Sequence, residues 1–241
     1  MSKSKNTKNI KYMEFDDKIH YEKQFISHTA VLKELDERTQ IVSFKKAGTV
    51  VNSIEFIFRD NKLIVSGDLG CAIFNFSMCP KWNSDWNEIE IDYFVNKCKA
   101  FEGEKYLFDK EVAIKNIKEK IIDVLCENYN KKEATKLANE IAELAASNVS
   151  LDYVLDNNKI LNKKDGNDNF LKQSYVLLLE VNKSSTLEIF RNIVLHNEYY
   201  LRYENYYEDE LFELGKVVNP TFEMWLYALK LVKDQLEKNS L

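Results

Sequence analysis

The sequence predicts an α+β fold, with an N-terminal antiparallel sheet followed by a mostly helical C-terminal half. Between residues 41 and 76 apolar side chains recur at every second position, the spacing of strands that bury one face. Beyond residue 88 they recur every three or four positions, the spacing of amphipathic helices. We therefore expect a meander of about four strands, one face of which is covered by helices.

The predicted strands are rich in β-branched and aromatic residues and are separated by short turns. In the most regular of them, Ile54, Phe56 and Phe58 alternate with more polar positions and form one strongly apolar face. The predicted strands are Ile41–Phe44, Ser53–Arg59, Leu63–Ser66 and Cys71–Phe76.

The corner Gly67–Gly70 joins the last two of these strands. A phosphate-binding glycine loop leads into a helix, whereas β-formers lie on both sides of this one. We therefore interpret the glycines as the corner of a hairpin, where they permit a positive φ. Asp68 within the corner is a candidate contact to a ligand or partner.

Helices are predicted before and after the strands along the chain. A short one over Phe25–Leu35 leads into the sheet, and another from Ile89 ends at Gly103. Asp109 is the predicted N-cap of the next helix, which ends near Asn128. Ser185 or Thr186 is predicted to cap the helix Thr186–His196, and Asn219 the last helix. The remaining predicted helices are Lys131–Ser147, Phe170–Val181, Thr186–His196, Asn197–Leu214 and Thr221–Lys238.

Changes in composition suggest four segments along the chain. Residues 1–11 are polar and basic and are expected to be a disordered tail. Residues 12–156 would form the sheet-plus-helices domain, 157–169 a loop rich in Asn, Asp and Lys, and 170–241 a helical subdomain.

The overall composition is that of a globular protein without membrane segments. The 241 residues carry a formal net charge of −5, which argues against a general nucleic-acid binder, and no sequence-specific nucleic-acid binding is expected. The four cysteines show no paired spacing, which favours reduced thiols in the cytoplasm. No apolar run approaches the length needed to span a bilayer, and no signal peptide is recognisable.

The sequence contains no recognisable catalytic or metal-binding motif. Its three histidines match neither HExxH nor the zinc deaminase pattern, and GxSxG does not occur. We therefore predict no catalytic residues, no metal and no cofactor, although a catalytic site gathered only by the fold stays an alternative.

The stretch from His196 to Leu214 is the strongest candidate for a partner-binding surface, because tyrosines alternate there with acids. One interpretation is an amphipathic helix with tyrosines packed inward and acids in water. The other is an acidic, aromatic epitope for a basic partner, able to occupy the nucleic-acid groove of a nuclease. The candidate contact residues are Tyr199, Tyr203, Glu204, Tyr206, Tyr207, Glu208 and Asp209.

Trp82 and Trp86 lie in a loop after the predicted sheet and form a second candidate contact. Tryptophan is enriched in interfaces because its ring brings a large contact area. A lid over the edge of the sheet is an equally good interpretation of the pair.

The run Val65–Phe76, VSGDLGCAIFNF, resembles a family of small proteins encoded by phages and prophages. The strand Ile54–Phe58 and the segment Glu88–Phe94 with Lys97 are similar to that family as well, so the resemblance covers roughly residues 40–110. It implies a phage accessory protein, a class that includes inhibitors of the Gabija nuclease complex and of CRISPR effectors. It assigns no functional residues to this chain.

These expectations combine into one functional hypothesis. The protein is expected to be a phage-derived, non-enzymatic inhibitor that binds a bacterial defence protein or ribonucleoprotein, above all a nuclease complex, in the host cytoplasm. A homo-oligomer is left open. The alternatives are a small nucleic-acid- or nucleotide-processing enzyme and a virion assembly protein.

Overall fold

A computed structural model of the chain describes residues 21–149, 168–196 and 208–239. These residues belong to two compact units, one comprising the chain up to Lys105 together with Val218 onward, and the other Tyr106–Val217. The division differs from the predicted one, because the last helix belongs with the sheet and the helices after Tyr106 belong with those of the C-terminal half. Only the final two residues of the predicted loop 157–169 are described.

The first unit is built on a six-stranded antiparallel meander, in which the strands follow one another in sequence order. The predicted α+β class is confirmed, but the number of strands is higher than predicted. The strands are β1 (His28–Asp36), β2 (Thr39–Lys46), β3 (Ile54–Arg59), β4 (Lys62–Gly67), β5 (Ala72–Asn75) and β6 (Cys98–Phe101).

The two additional strands are the edge strands β1 and β6, and both fall where a helix was predicted. In β1, buried His28 and Ala30 alternate with exposed Thr29 and Val31, and the strand pairs with β2 along its length. The helix α1 (Ile91–Lys97) ends just before β6, and the chain pairs with β5 from Cys98 onward. The prediction of helix was wrong at both places because pairing with a neighbouring strand outweighs a weak local pattern.

One side of the sheet, the covered face, is aromatic and fully buried. The helix α7 (Pro220–Asn239) packs on it, and the rings of Phe222 and Trp225 lie 6.0 and 6.2 Å from that of Phe74. Phe94 of α1 stacks on Phe74 with a centroid distance of 4.4 Å. The covered-face residues are Val42, Phe44, Ile54, Phe56, Phe58, Leu63, Val65, Ala72 and Phe74.

Two side chains in and beside α7 form hydrogen bonds with backbone groups that lack a partner in a helix or strand. The Asn219 side chain caps the helix by accepting from the Thr221 N–H at 3.1 Å, as the sequence predicted. Gln235 acts on the outer edge of β1, accepting from the Ala30 N–H at 2.9 Å and donating to the His28 carbonyl at 3.0 Å. Its amide thereby takes the place of a neighbouring strand and protects part of this edge.

The predicted hairpin corner is confirmed by the antiparallel pairing of β4 with β5. Gly67 has a φ of +143° and Gly70 a φ of +96°, both in the region that favours glycine. The Gly67 backbone also approaches the Ser53 carbonyl so closely that a Cβ would overlap its oxygen.

The second unit consists of five helices and a two-stranded sheet within its described residues. Asp109 and Thr186 cap their helices as predicted, accepting from the Val112 and Ile189 N–H groups at 3.0 and 3.2 Å. The elements are β7 (Tyr106–Phe108), α2 (Lys110–Leu125), α3 (Lys131–Ala146), α4 (Asp168–Lys183), α5 (Leu187–His196), α6 (Glu208–Glu213) and β8 (Lys216–Val218). Among all the described helices, none is both long and apolar enough to cross a membrane.

A candidate interaction surface on the open face of the sheet

The side of the sheet opposite the covered face, here called the open face, carries a continuous row of isoleucines. Ile41 of β2 lies directly opposite Ile57 of β3, Ile57 opposite Ile64 of β4, and Ile64 opposite Ile73 of β5. These four residues, the isoleucine row, occupy adjacent strands and span roughly 14 Å at the usual strand spacing. Each lies on a different strand, so the register of the strands is what places them in one row.

The isoleucine row is accessible to solvent. Ile73 is 40% exposed, and the other three isoleucines are half-buried by their neighbours on the sheet. Val31, on the same face of β1, is 61% exposed. Because these exposed and half-buried apolar side chains are contiguous across four strands, the open face is a candidate binding surface.

Cations flank the row on one side. Arg59 of β3 lies opposite Lys62 of β4, two register positions beyond Ile57 and Ile64 and therefore next to them on the same face. Lys33 of β1 lies opposite Ile41, at the end of the row. Lys33 and Lys62 form no ion pair with any described residue.

The opposite flank carries Glu55 between two serines and Lys45 beyond one of them, so its charges balance, whereas the flank with Arg59 and Lys62 is basic. One carboxylate already lies near Arg59: a backbone hydrogen bond from Arg38 lowers the pKa of Asp36 most, and the charge of Arg59 contributes to the shift.

The basic side contrasts with the chain as a whole, whose formal net charge is −5. A local excess of cations on an acidic protein attracts acidic groups to that place and leaves the remaining surface repulsive to them. The open face can therefore select a partner by charge as well as by apolar contact.

The predicted contact residue Asp68 is exposed, but its carboxylate is already engaged. Oδ2 accepts from the Asn52 N–H at 2.8 Å, and the Asp68 N–H donates to the Ser53 carbonyl at 3.0 Å. Asn52 has a φ of +55°, so these bonds hold a turn in an unusual backbone conformation. The hydrogen bonds of Asp68 therefore fix the loop between β2 and β3.

The predicted pair Trp82 and Trp86 divides between surface and core. Trp86 is fully buried, and its Nε1–H donates to the carbonyls of Lys81 and Trp82, both at 3.1 Å. Its ring packs 6.1 Å from Phe58 and 6.0 Å from Phe76. Trp86 is therefore a core residue with no ring face to offer a partner, which corrects its assignment as a contact. Trp82 is half-buried.

The acidic, tyrosine-rich stretch lies mainly outside the described residues. Of its candidate contacts, Glu208 and Asp209 begin the short helix α6, and only their backbone is described. The role of this stretch stays a prediction. The candidate contacts outside the described residues are Tyr199, Tyr203, Glu204, Tyr206 and Tyr207.

Two cysteine thiols near the sheet, those of Cys71 and Cys98, have raised pKa values. The Cys71 thiol donates to Glu102 Oε2 at 3.1 Å, and this hydrogen bond to a carboxylate raises the pKa of the thiol. Burial raises the pKa of the Cys98 thiol as well. A raised pKa disfavours the nucleophilic thiolate. No group of three or more metal-ligating side chains occurs among the residues that the structure describes.

A groove of about 380 Å³ lies in the second unit between α2 and α3. Ile114 and Ile122 form its apolar part, and its rim carries two lysines, Lys115 and Lys118, against two glutamates, Glu111 and Glu119. Because these charges balance, the groove lacks the electrostatic preference of the open face.

Comparison of the chain with protein-family models, with curated proteins and with solved structures finds no match. The sequence did contain a signal for the open face: Ile57 stands among the polar positions of its strand. Recognising the row also required the register of four strands, which periodicity within one strand does not provide.

Proposed function

We propose that the protein is a non-enzymatic, phage-derived inhibitor that binds a bacterial immune effector, above all a nuclease complex, through protein–protein contact in the host cytoplasm. The observation that carries this proposal is the isoleucine row on the open face. Ile41, Ile57, Ile64 and Ile73 form one accessible apolar ridge with cations along one flank. Interfaces combine such an apolar centre with a polar rim.

The link to bacterial defence rests on the resemblance of Val65–Phe76 to phage and prophage proteins. In the structure this run forms the end of β4, the glycine corner and β5, and two members of the isoleucine row flank the corner. The resembling segment and the candidate surface thus share two strands. A phage protein that binds through this sheet would act by occupying or blocking a surface of its target.

The proposal is tested by expressing the protein in bacteria that carry single defence systems, including Gabija and CRISPR systems, and measuring phage plaque formation. We expect plaque formation to be restored against at least one system, with the protein co-purifying with a component of that system. Restored plaque formation without a stable complex would contradict inhibition by binding, and no restoration against any system would contradict the link to defence.

A matched pair of variants connects the effect to the open face. Ile73 and Ile189 are exposed to similar extents, 40% and 43%, but lie in different units. We expect Ile73→Glu to lose inhibition and Ile189→Glu to retain it. Equal behaviour of the two folded variants would remove the open face as the binding surface.

A further inference from the structure

We infer that the open face binds an acidic amphipathic protein segment, whose apolar residues pack on the isoleucine row and whose carboxylates pair with Arg59 and Lys62. This inference rests on the proposed function and deepens it, because it names the chemistry of the partner.

The dimensions of the row fit one helix or one short strand of a partner. Lys33 of β1 lies opposite Ile41 at one end of the row, and Ala100 of β6 lies opposite Ile73 at the other, so the row and its two end neighbours together cross all six strands. Six strands span roughly 24 Å, which is the length of about 16 helical residues. An apolar stripe of that length can cover the isoleucines and stay in contact with both ends of the row.

The pairing of Arg59 with Lys62 points to carboxylates in the partner. The two cations lie directly opposite each other on neighbouring strands. Like charges in this arrangement repel and destabilise the pair of strands. A carboxylate bound between them replaces the repulsion with two attractions, and the planar guanidinium of Arg59 suits a two-point contact.

The asymmetry of the face orients the partner. Arg59 and Lys62 lie together on one side of the row, while the other side carries Glu55, opposite Ser43 and Ser66, with Lys45 beyond Ser43. A segment with carboxylates along one flank of its apolar stripe binds favourably in one orientation, because the reverse places them against Glu55.

Two other occupants fit less well. Nucleic acid would satisfy the cations, but the described open face offers aliphatic side chains and no aromatic ring on which bases could stack. A second copy placed face to face either sets one basic side against another or offers the basic side only Glu55 as a carboxylate, so it satisfies the cations less well than an acidic segment does. An acidic, apolar protein segment satisfies both the isoleucines and the cations.

The inference is tested with the full chain, labelled at the isoleucine δ1 methyl groups, by NMR titration with defined probes. The main probe is a synthetic helix of about 16 residues with a leucine stripe and glutamates along one flank. The comparison probes are the same peptide with lysine for glutamate, and single-stranded oligo-dT. We expect the acidic peptide to shift the methyl signals of Ile41, Ile57, Ile64 and Ile73, while Ile54 and Ile121, which are buried, stay unshifted.

Charge variants provide the second readout. We expect Arg59→Glu combined with Lys62→Glu to weaken binding of the acidic peptide by about tenfold or more and to favour the lysine peptide. Lys115→Glu combined with Lys118→Glu, in the helical groove, should leave binding unchanged. Equal binding of both peptides, preferential binding of oligo-dT, absence of methyl shifts, or a concentration-dependent dimer that buries the same methyl groups would each overturn the inference.

The two proposals can fail separately. If the protein binds the acidic peptide at the isoleucine row but restores no phage growth, the inference about partner chemistry is supported and the link to defence is contradicted. If the protein inhibits a defence system but the Arg59 and Lys62 substitutions do not affect the complex, the proposed function is supported and the inference is contradicted.

Discussion

The two faces of the N-terminal sheet differ in chemistry although they are made by alternate residues of the same strands. On β3, Phe56 is fully buried on the covered face, whereas the next residue, Ile57, lies half-buried on the open face. On β5, Phe74 is fully buried and its neighbour Ile73 is 40% exposed. Core residues and residues of the proposed binding surface are therefore neighbours in the sequence, and single substitutions can separate effects on stability from effects on binding.

The covered face is aromatic because helix α7 supplies aromatic rings to pack against it. The ring of Phe74 packs against the rings of Phe94, Phe222 and Trp225. Phe222 and Trp225 are themselves only 5.5 Å apart. The open face has no such cover in the described residues, and its central positions carry aliphatic side chains that lie opposite each other on neighbouring strands.

The largest expected difference between the faces comes from truncating neighbouring residues of β5. Phe74→Ala should lower the free energy of unfolding by about 3–5 kcal/mol, because it leaves a cavity among buried rings. Ile73→Ala should lower it by about 1 kcal/mol or less, since that side chain already contacts water. Urea denaturation of both variants measures the difference, and equal losses would show that the open face is a core of its own.

The second prediction concerns the corner that sets the register of both faces. Gly67→Ala should destabilise the protein by roughly 2–3 kcal/mol, because the added Cβ overlaps the Ser53 carbonyl and φ is +143°. Gly48 also has a positive φ, +77°, but nothing lies within 4 Å of its Cβ position, so Gly48→Ala should cost about 1 kcal/mol or less. Thermal unfolding compares the two, and similar melting temperatures would contradict the close backbone approach at Gly67.

Much of the covered face could be predicted from the sequence, and most of the open face could not. Alternation within 54–58 identified Phe56 and Phe58 as core residues, and the glycine corner and the Asn219 cap were predicted correctly. These features depend on residues close together in sequence. β1 and β6 were predicted as helix because their strand character depends on pairing partners elsewhere in the chain.

The candidate contacts show the same limit. Trp86 was predicted as a contact from its residue type, but its burial depends on Phe58 of β3 and on Phe76, which follows β5. The isoleucine row draws one residue from each of four strands. A sequence without known register gives no measure of either arrangement.

The third prediction is that one substitution on the open face raises the stability of the protein but weakens its binding. Lys62→Glu replaces a repulsive pair with an attractive one across from Arg59, and should raise the free energy of unfolding by about 0.2–1 kcal/mol. The same substitution should weaken binding of the acidic peptide. Lys45→Glu is the control on the same face, because Lys45 lies opposite Thr29 and no cation is relieved. Urea denaturation at low and high salt checks the effect, and a stabilisation that persists in high salt would contradict its electrostatic origin.

The smallest expected effect is the pH response of His28 on the covered face. Burial lowers the pKa of His28 below 6.5, and this outweighs the backbone carbonyls of Asn52 and Val51, which raise it, while the nearby Lys46 lowers it further. The folded protein therefore binds the proton less readily than the unfolded chain, whose histidine titrates near 6.5. The contribution of His28 to stability is complete above that pH and declines as the pH falls from 6.5 through the lower pKa of the folded state.

His28→Gln isolates this response, because glutamine can still donate to the Asn52 carbonyl, which His28 Nε2 reaches at 3.2 Å, but does not titrate. Unfolding free energies measured in urea above and below pH 6.5 should fall more steeply toward acid in the wild type than in the variant. Open-face substitutions such as Ile73→Ala should leave the wild-type slope intact, because they remove no titratable group. Parallel pH profiles for wild type and His28→Gln would mean that the proton binds His28 equally well in the folded and unfolded chains, and that the covered face is wetter at β1 than its packing against Phe25 and Phe44 indicates.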